Sequence, residues 1–122
     1  MDIKVGEYIR INNDNRNCIG VGKVTKIFND VIYLDMNNKY DLPVSFKIEN
    51  IIKHSKNIID LIEVGDIVNN GYIYEVGKTK DEHKWVHSLN GLLLFENDIK
   101  TILTHEQMEE NQYVVKRNME TN

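Results

Sequence analysis

The chain contains no alanine, and only one cysteine, one proline and one tryptophan in 122 residues. Losing the best helix former from a sequence crowded with Ile, Val and Tyr, which favour half-buried pleated surfaces, tips the balance towards β structure. A lone Cys18 excludes a disulfide within the chain and a cysteine-based metal site. No basic segment leads into an apolar run near the start. No stretch approaches the roughly 20 apolar residues that span a bilayer. We therefore expect no membrane segment and a soluble, cytoplasmic chain.

Positive charge is also scarce: the formal net charge is −4 and the pI about 5.5. A broad nucleic-acid-binding face needs clustered Lys and Arg, so direct nucleic-acid contact ranks low. The charge is uneven. Residues 1–60 carry nine basic and eight acidic side chains, net +1, whereas residues 61–122 carry six and eleven, net −5. An acidic second half can meet a basic surface on a protein partner, or simply keep the chain soluble.

Strand-like segments alternate with turn signals along the whole chain. "EYIRI" (7–11) opens the set and the Asn-rich run 12–17 is a loop. "GVGKVTKIF" (20–28) follows, its alternation imperfect enough to imply a bulge near Gly22. "ND" then turns the chain into "VIYLDM" (31–36). "VSFKIENII" (44–52) alternates cleanly, and "KHSKN" (53–57) breaks the pattern. A second series runs through "GYIYEVGKT" (71–79), "HKWVHSL" (83–89), "LLLFE" and "DIKTIL" (98–103). Asn90-Gly91 is a strong hairpin turn. Thr104 to Gln107 matches a capping box, which predicts a short helix near 104–111.

"VGEYIRINN" (5–13) and "VGDIVNNGY" (64–72) repeat one pattern: Val-Gly, an acid, a large residue, an aliphatic, then turn formers. Each Gly suits a turn with positive φ, and the acid can satisfy backbone amides there. The expectation is a mainly β chain of two small SH3-like barrel units packed together, with a short C-terminal helix. The first unit takes residues 1–52, a connector 53–63, the second unit 64–116, and a flexible tail 117–122. A barrel of this size buries little surface alone, so packing two together gains stability.

Candidate binding residues fall into three groups. In "HKWVHS", His83, Trp85 and His87 share one face of a strand. The two His stand roughly 13 Å apart at ~3.3 Å per residue, too far for one ion, so no metal site is expected. Trp85, flanked by the two His, Lys80 and Lys84, either stacks a base or anchors a partner protein, or sits in the second core with both His at its rim; lone Trp residues are mostly buried. Lys53, His54 and Lys56 form a basic knot, read either as solvated charge or as a contact for an acidic partner. Tyr8, Arg10, Lys23, Lys26, Phe28, Tyr33 and Lys47 interleave rings and cations, as small nucleic-acid binders do. No Ser, Cys or paired carboxylate lies in a catalytic motif, and "GVGK" lacks phosphate-loop spacing. We expect no enzyme and no cofactor.

"IIKHSKNIIDLIEVGDIVNNGYIYEV" (51–76) and "IKTILTHEQMEENQYVV" (99–115) resemble small proteins of phages and prophages of low-GC Gram-positive bacteria, which share a "KHSxNIIDLIExGDxVNG" core. The resemblance covers the latter two-thirds and transfers no functional residue. What it implies is a phage accessory protein, first of the counter-defence, anti-CRISPR-like kind, binding a host defence protein. The alternatives are a sponge for a nucleotide immune signal, with Arg10, Lys78, Lys84 and Trp85 as material, and a nucleic-acid-contacting or structural phage protein.

Overall fold

In a computed structural model the described residues form two antiparallel five-stranded sheets and one short α-helix. The residues it describes are 2–13, 18–29, 31–36, 41–44, 51–112 and 115. The first sheet holds β1 (Tyr8–Asn13), β2 (Cys18–Phe28), β3 (Val31–Asp35), β4 (Asp41–Val44) and β5 (Ile51–Ser55), ordered β4-β3-β2-β1-β5. The second holds β6 (Ile67–Val68), β7 (Gly71–Lys78), β8 (Lys84–Ser88), β9 (Leu93–Leu94) and β10 (Ile102–Leu103), ordered β10-β6-β7-β8-β9. These are one topology written twice: a four-strand meander whose fifth strand returns to pair with the first.

The repeated glycine motif sits at the same point of each sheet. Gly6 and Gly65 have φ of +94° and +100°, a region that side-chain-bearing residues rarely enter. Gly6 N–H donates to Val24 O at 2.8 Å, and Gly65 N–H to Ile73 O at 2.9 Å. The acids that follow, Glu7 and Asp66, donate their amides three residues back, to Lys4 O and Glu63 O. Their own carbonyls accept from Val24 and Ile73. Three backbone hydrogen bonds are thus duplicated atom for atom.

Each sheet buries one face. Ile9, Ile11, Val24, Ile32, Leu34 and Ile51 close the first core, and Ile59, Ile62, Val68, Ile73, Val86 and Leu94 the second. Alternation is kept by bulges. The first lies between Val24 and Lys26 rather than near Gly22, so Val24 faces the core while Lys26 and Tyr33 face out. In the second sheet the register shifts between Ile73 and Glu75.

The segment expected to break the pattern does not. Lys53, His54 and Ser55 belong to β5 and pair with Arg10, Ile9 and Tyr8, so three residues assigned to a connector are sheet. The polar types hid a strand whose core contact is made by Ile51. Ile58–Leu61 is a 3-10 turn whose Ile58 and Ile59 amides donate to the Glu96 carboxylate. Most of the strand expected over 44–52 lies outside the described residues.

The helix α1 (His105–Asn111) starts where the capping box places it. Gln107 N–H donates to Thr104 Oγ1 at 3.2 Å, and Thr104 N–H to Gln107 Oε1 at 2.8 Å. Gln107 also fits against β2 at Gly20, where an added Cβ would lie 2.9 Å from its Nε2. No helix among the described residues is long and apolar enough to cross a membrane.

Candidate functional site

Arg10 follows Ile9 on β1 and so points away from the first core, towards the second sheet. The sequence flagged it as a surface binding residue; the structure corrects this, because Arg10 is 0% exposed. Its guanidinium uses all five N–H donors. Nη1 donates to Asp66 Oδ2 at 2.6 Å and Leu61 O at 2.9 Å, and Nη2 to Asp66 Oδ1 at 2.9 Å and Glu106 Oε1 at 2.8 Å. Nε donates to Glu106 Oε1 at 3.1 Å. Asp66, also 0% exposed, accepts in addition from the amides of Glu63 and His105. Burial works against the Arg10 charge, but the hydrogen bond and charge of Asp66, then the charges of Glu106 and Glu63, outweigh it and hold the group ionised.

Around this pair lies a partly buried rim. His105 Nε2 is 2.9 Å from Glu63 Oε1 and 3.0 Å from Glu106 Oε2, and Lys53 Nζ is 3.2 Å from Glu63 Oε2. The Glu63 hydrogen bond raises the His105 pKa against its partial burial, with Glu106 adding to the rise. Burial pushes Glu63 up, yet His105, Arg10 and Lys53 together pull it below the usual carboxylate range. Glu63, His105 and Glu106 offer three ligand atoms within 4.8 Å of one another. A divalent ion there would face the Arg10 guanidinium, 2.8 Å from Glu106 and 3.7 Å from Glu63, which already supplies the cation these acids need. We read the cluster as the ionic seam between the sheets.

The outward face of the second sheet is of another kind. Cross-strand partners share a face, so the pairs Leu103–Ile67 and Ile67–Tyr72 set one row, and His87–Leu93 another. The bulge on β7 turns both Tyr74 and Glu75 outward. Tyr74 packs its ring 4.8 Å from that of His87, with Oη 2.7 Å from Nδ1. Tyr72, Tyr74, Leu93 and Leu103 are each more than 40% exposed. An apolar and aromatic stripe therefore crosses all five strands. Beside it a groove walled by Val64, Tyr72 and Met108 opens along α1, rimmed by Glu109 and His105.

The remaining sequence candidates are divided. Lys53, Lys78, Lys84 and Trp85 line one cavity of about 220 Å³ over Ile59, Ile62 and Val86, while Arg10 is elsewhere. Trp85 is neither core nor free: half-buried, it lies across Gly77, where any Cβ would overlap the indole. His87 joins the outer stripe, and His83 is exposed near the turn that joins β7 to β8. His54 Nδ1 pairs with Glu7 Oε1 at 2.7 Å, and Lys56 is solvated. On the first sheet Lys23 sits over the Tyr8 ring, and Lys26 over Phe28 and Tyr33; Lys47 lies outside the described residues. Tyr8 and Lys23 also line a cleft of about 600 Å³ between the sheets, opposite Ile58, Ile99 and Lys100.

Sequence reasoning missed Asp66, Glu106 and Glu63 as partners of Arg10, and His105 as the partner of Glu63 and Glu106. The one available signal was the acid conserved in type between the two glycine motifs, Glu7 and Asp66, with a basic residue following only the first. Comparison with protein-family models, with curated proteins and with solved structures gives no match for this chain.

Proposed function

We propose that this chain is a non-enzymatic binding protein that docks on a protein partner through the outer face of its second sheet, and that its target is a host defence effector. The observation that carries the docking reading is the stripe from Leu103 through Ile67, Tyr72, Tyr74 and His87 to Leu93. Contiguous exposed apolar surface with aromatic anchors is the pattern of protein interaction sites. Glu75 and Glu109 at its margins, within a half of net charge −5, suit a partner with a basic rim. The counter-defence role is carried by the resemblance to phage proteins. The same reading takes each sheet as a small SH3-like unit, and the shared strand order and duplicated glycine turn support it.

The test uses Tyr74→Asp and Leu93→Asp, both on exposed positions. The expected result is that wild-type chain captures a defence protein from a Gram-positive host lysate and rescues phage growth, and that both variants lose capture and rescue while keeping the wild-type melting temperature. A wild-type chain that captures no defence protein and rescues nothing refutes the counter-defence role. Variants as active as wild type refute the assigned face, and so does a wild-type dimer in solution that Tyr74→Asp converts to monomer.

A further inference from the structure

Trp85 and His87 flank the core residue Val86 on β8, so both point to the outer face of the second sheet. Their partners across the strand pair are Gly77 and Glu75. The four positions make a rectangle, about 5 Å across and about 7 Å along the strands. Gly77 leaves one corner without a side chain, and an added Cβ there would overlap the Trp85 indole. The indole therefore lies over β7, one same-face step from Glu75. On the other side of Glu75 along β7, Tyr74 packs its ring 4.8 Å from that of His87. A carboxylate more than half exposed thus stands between two aromatic surfaces.

Other acids of this half of the chain are matched by strong cations. Asp60, Glu63, Asp66, Glu82 and Glu106 each have a lysine or arginine nitrogen at 2.6–3.3 Å. Among the described residues, Glu75 has neither within ion-pair distance. Its contact is with His87 Nδ1 at 3.6 Å, beyond hydrogen-bond reach, and that nitrogen is 2.7 Å from Tyr74 Oη.

We propose that this corner of the outer face receives an arginine side chain of the partner protein, an assignment that rests on the docking reading above and names its chemistry. The guanidinium pairs two-pronged with Glu75 and lays its flat side on the Trp85 indole, which a compact ammonium cannot do. The negative face of the indole adds its own attraction for the cation. Arginine and tryptophan are also the residue types that most often carry the binding energy of an interface. Gly77 belongs to the same design, because only a residue without Cβ lets the indole lie on the strand beside the carboxylate. Tyr72 and Leu93, exposed on the same face, take the apolar neighbours of that arginine.

The full chain is titrated with short capped peptides rich in Gly and Ser, with a central arginine, lysine or citrulline and a leucine two positions to either side. Trp85 is the sole tryptophan, so its fluorescence reads this corner, and calorimetry supplies a second readout. The expected result is saturable binding of the arginine peptide. The lysine and citrulline forms should bind about tenfold more weakly or worse, the effect of losing a hydrogen bond to a charged group. Glu75→Gln should bring the arginine peptide down to the citrulline level, with the melting temperature unchanged. The proposal is overturned if no peptide binds at millimolar concentration, if lysine or citrulline serves as well as arginine, or if Glu75→Gln binds like wild type. Failure of the docking reading looks different: loss of capture in Tyr74→Asp, beside peptides that all bind alike, keeps the docking face and removes the arginine from it.

Discussion

Arg10 of the first sheet and Asp66 of the second meet as a two-pronged pair, Nη1 to Oδ2 and Nη2 to Oδ1, with neither side chain reaching solvent. A buried ion pair is not a large net gain over a well-packed apolar pair, but removing one partner strands the other's charge and costs about 3–5 kcal/mol. Arg10→Met is predicted to destabilise by that amount, because Asp66 and Glu106 lose their counter-ion together. Asp66→Asn should cost a similar amount, and the double variant less than the sum. Denaturant unfolding measures all three; a loss under about 1 kcal/mol for Arg10→Met would show that the seam contributes little.

Gly6 and Gly65 make an internal control for each other. An added Cβ meets nothing within 4 Å at Gly6 and only ordinary contact with His105, at 3.6 Å, at Gly65. Backbone strain alone is left, so Gly6→Ala and Gly65→Ala are each predicted to lose about 1–2 kcal/mol. Thermal unfolding showing one alanine variant neutral would mean that the two turns are not equivalent in solution.

Stability should fall on both sides of a mildly acidic optimum. His105 has its pKa raised in the folded chain, first by the Glu63 hydrogen bond, so its protonated form favours folding. That contribution is complete below the unfolded value of about 6.5 and is lost as pH rises through the raised folded value. Glu63 and Asp60 are shifted down; burial opposes the shift, which His105 and Ser55 lead. Their contribution is complete above the unfolded values of 4.5 and 3.8 and is lost as pH falls through the lowered folded ones. Melting temperatures across about pH 2 to 9 should show both limbs, with His105→Gln flattening the alkaline one. An unchanged alkaline limb in that variant would exclude His105 as its source.

At Gly77 the prediction is optical as well as energetic. Gly77→Ala forces the indole of Trp85 off the strand, an overpacking change of about 1–3 kcal/mol. The emission of Trp85 should move to the red as the ring enters water. Emission identical to wild type would show that the ring does not lie on that glycine.

What the sequence made legible was local. The capping box at Thr104, the β7–β8 hairpin and the glycine repeat each rest on neighbours in the chain, and each is present with the bonds its residue types demand. Long-range partnership was not legible. Arg10 reads as one cation on an amphipathic strand, and nothing in "EYIRI" tells that Asp66, 56 positions away, and Glu106, 96 away, enclose it. The strand in "KHS" was hidden for the same reason, since its outward residues are polar because of what lies across from them. Trp85 fell between the two readings offered because a glycine on the neighbouring strand made it a berth outside the core.

The repeat is imperfect at one telling position. Arg10 of the first motif corresponds to Asn69 in the second, and Asn69 turns inward on its own loop, taking the amides of Lys100 and Thr101 and donating to Asp98 O. The second copy accepts a cation through Asp66 but offers none in turn. A third copy would find no hook to hang on, and two chains laid end to end would find none either. One unrepeated arginine makes the pairing of the sheets directional and gives it a terminus.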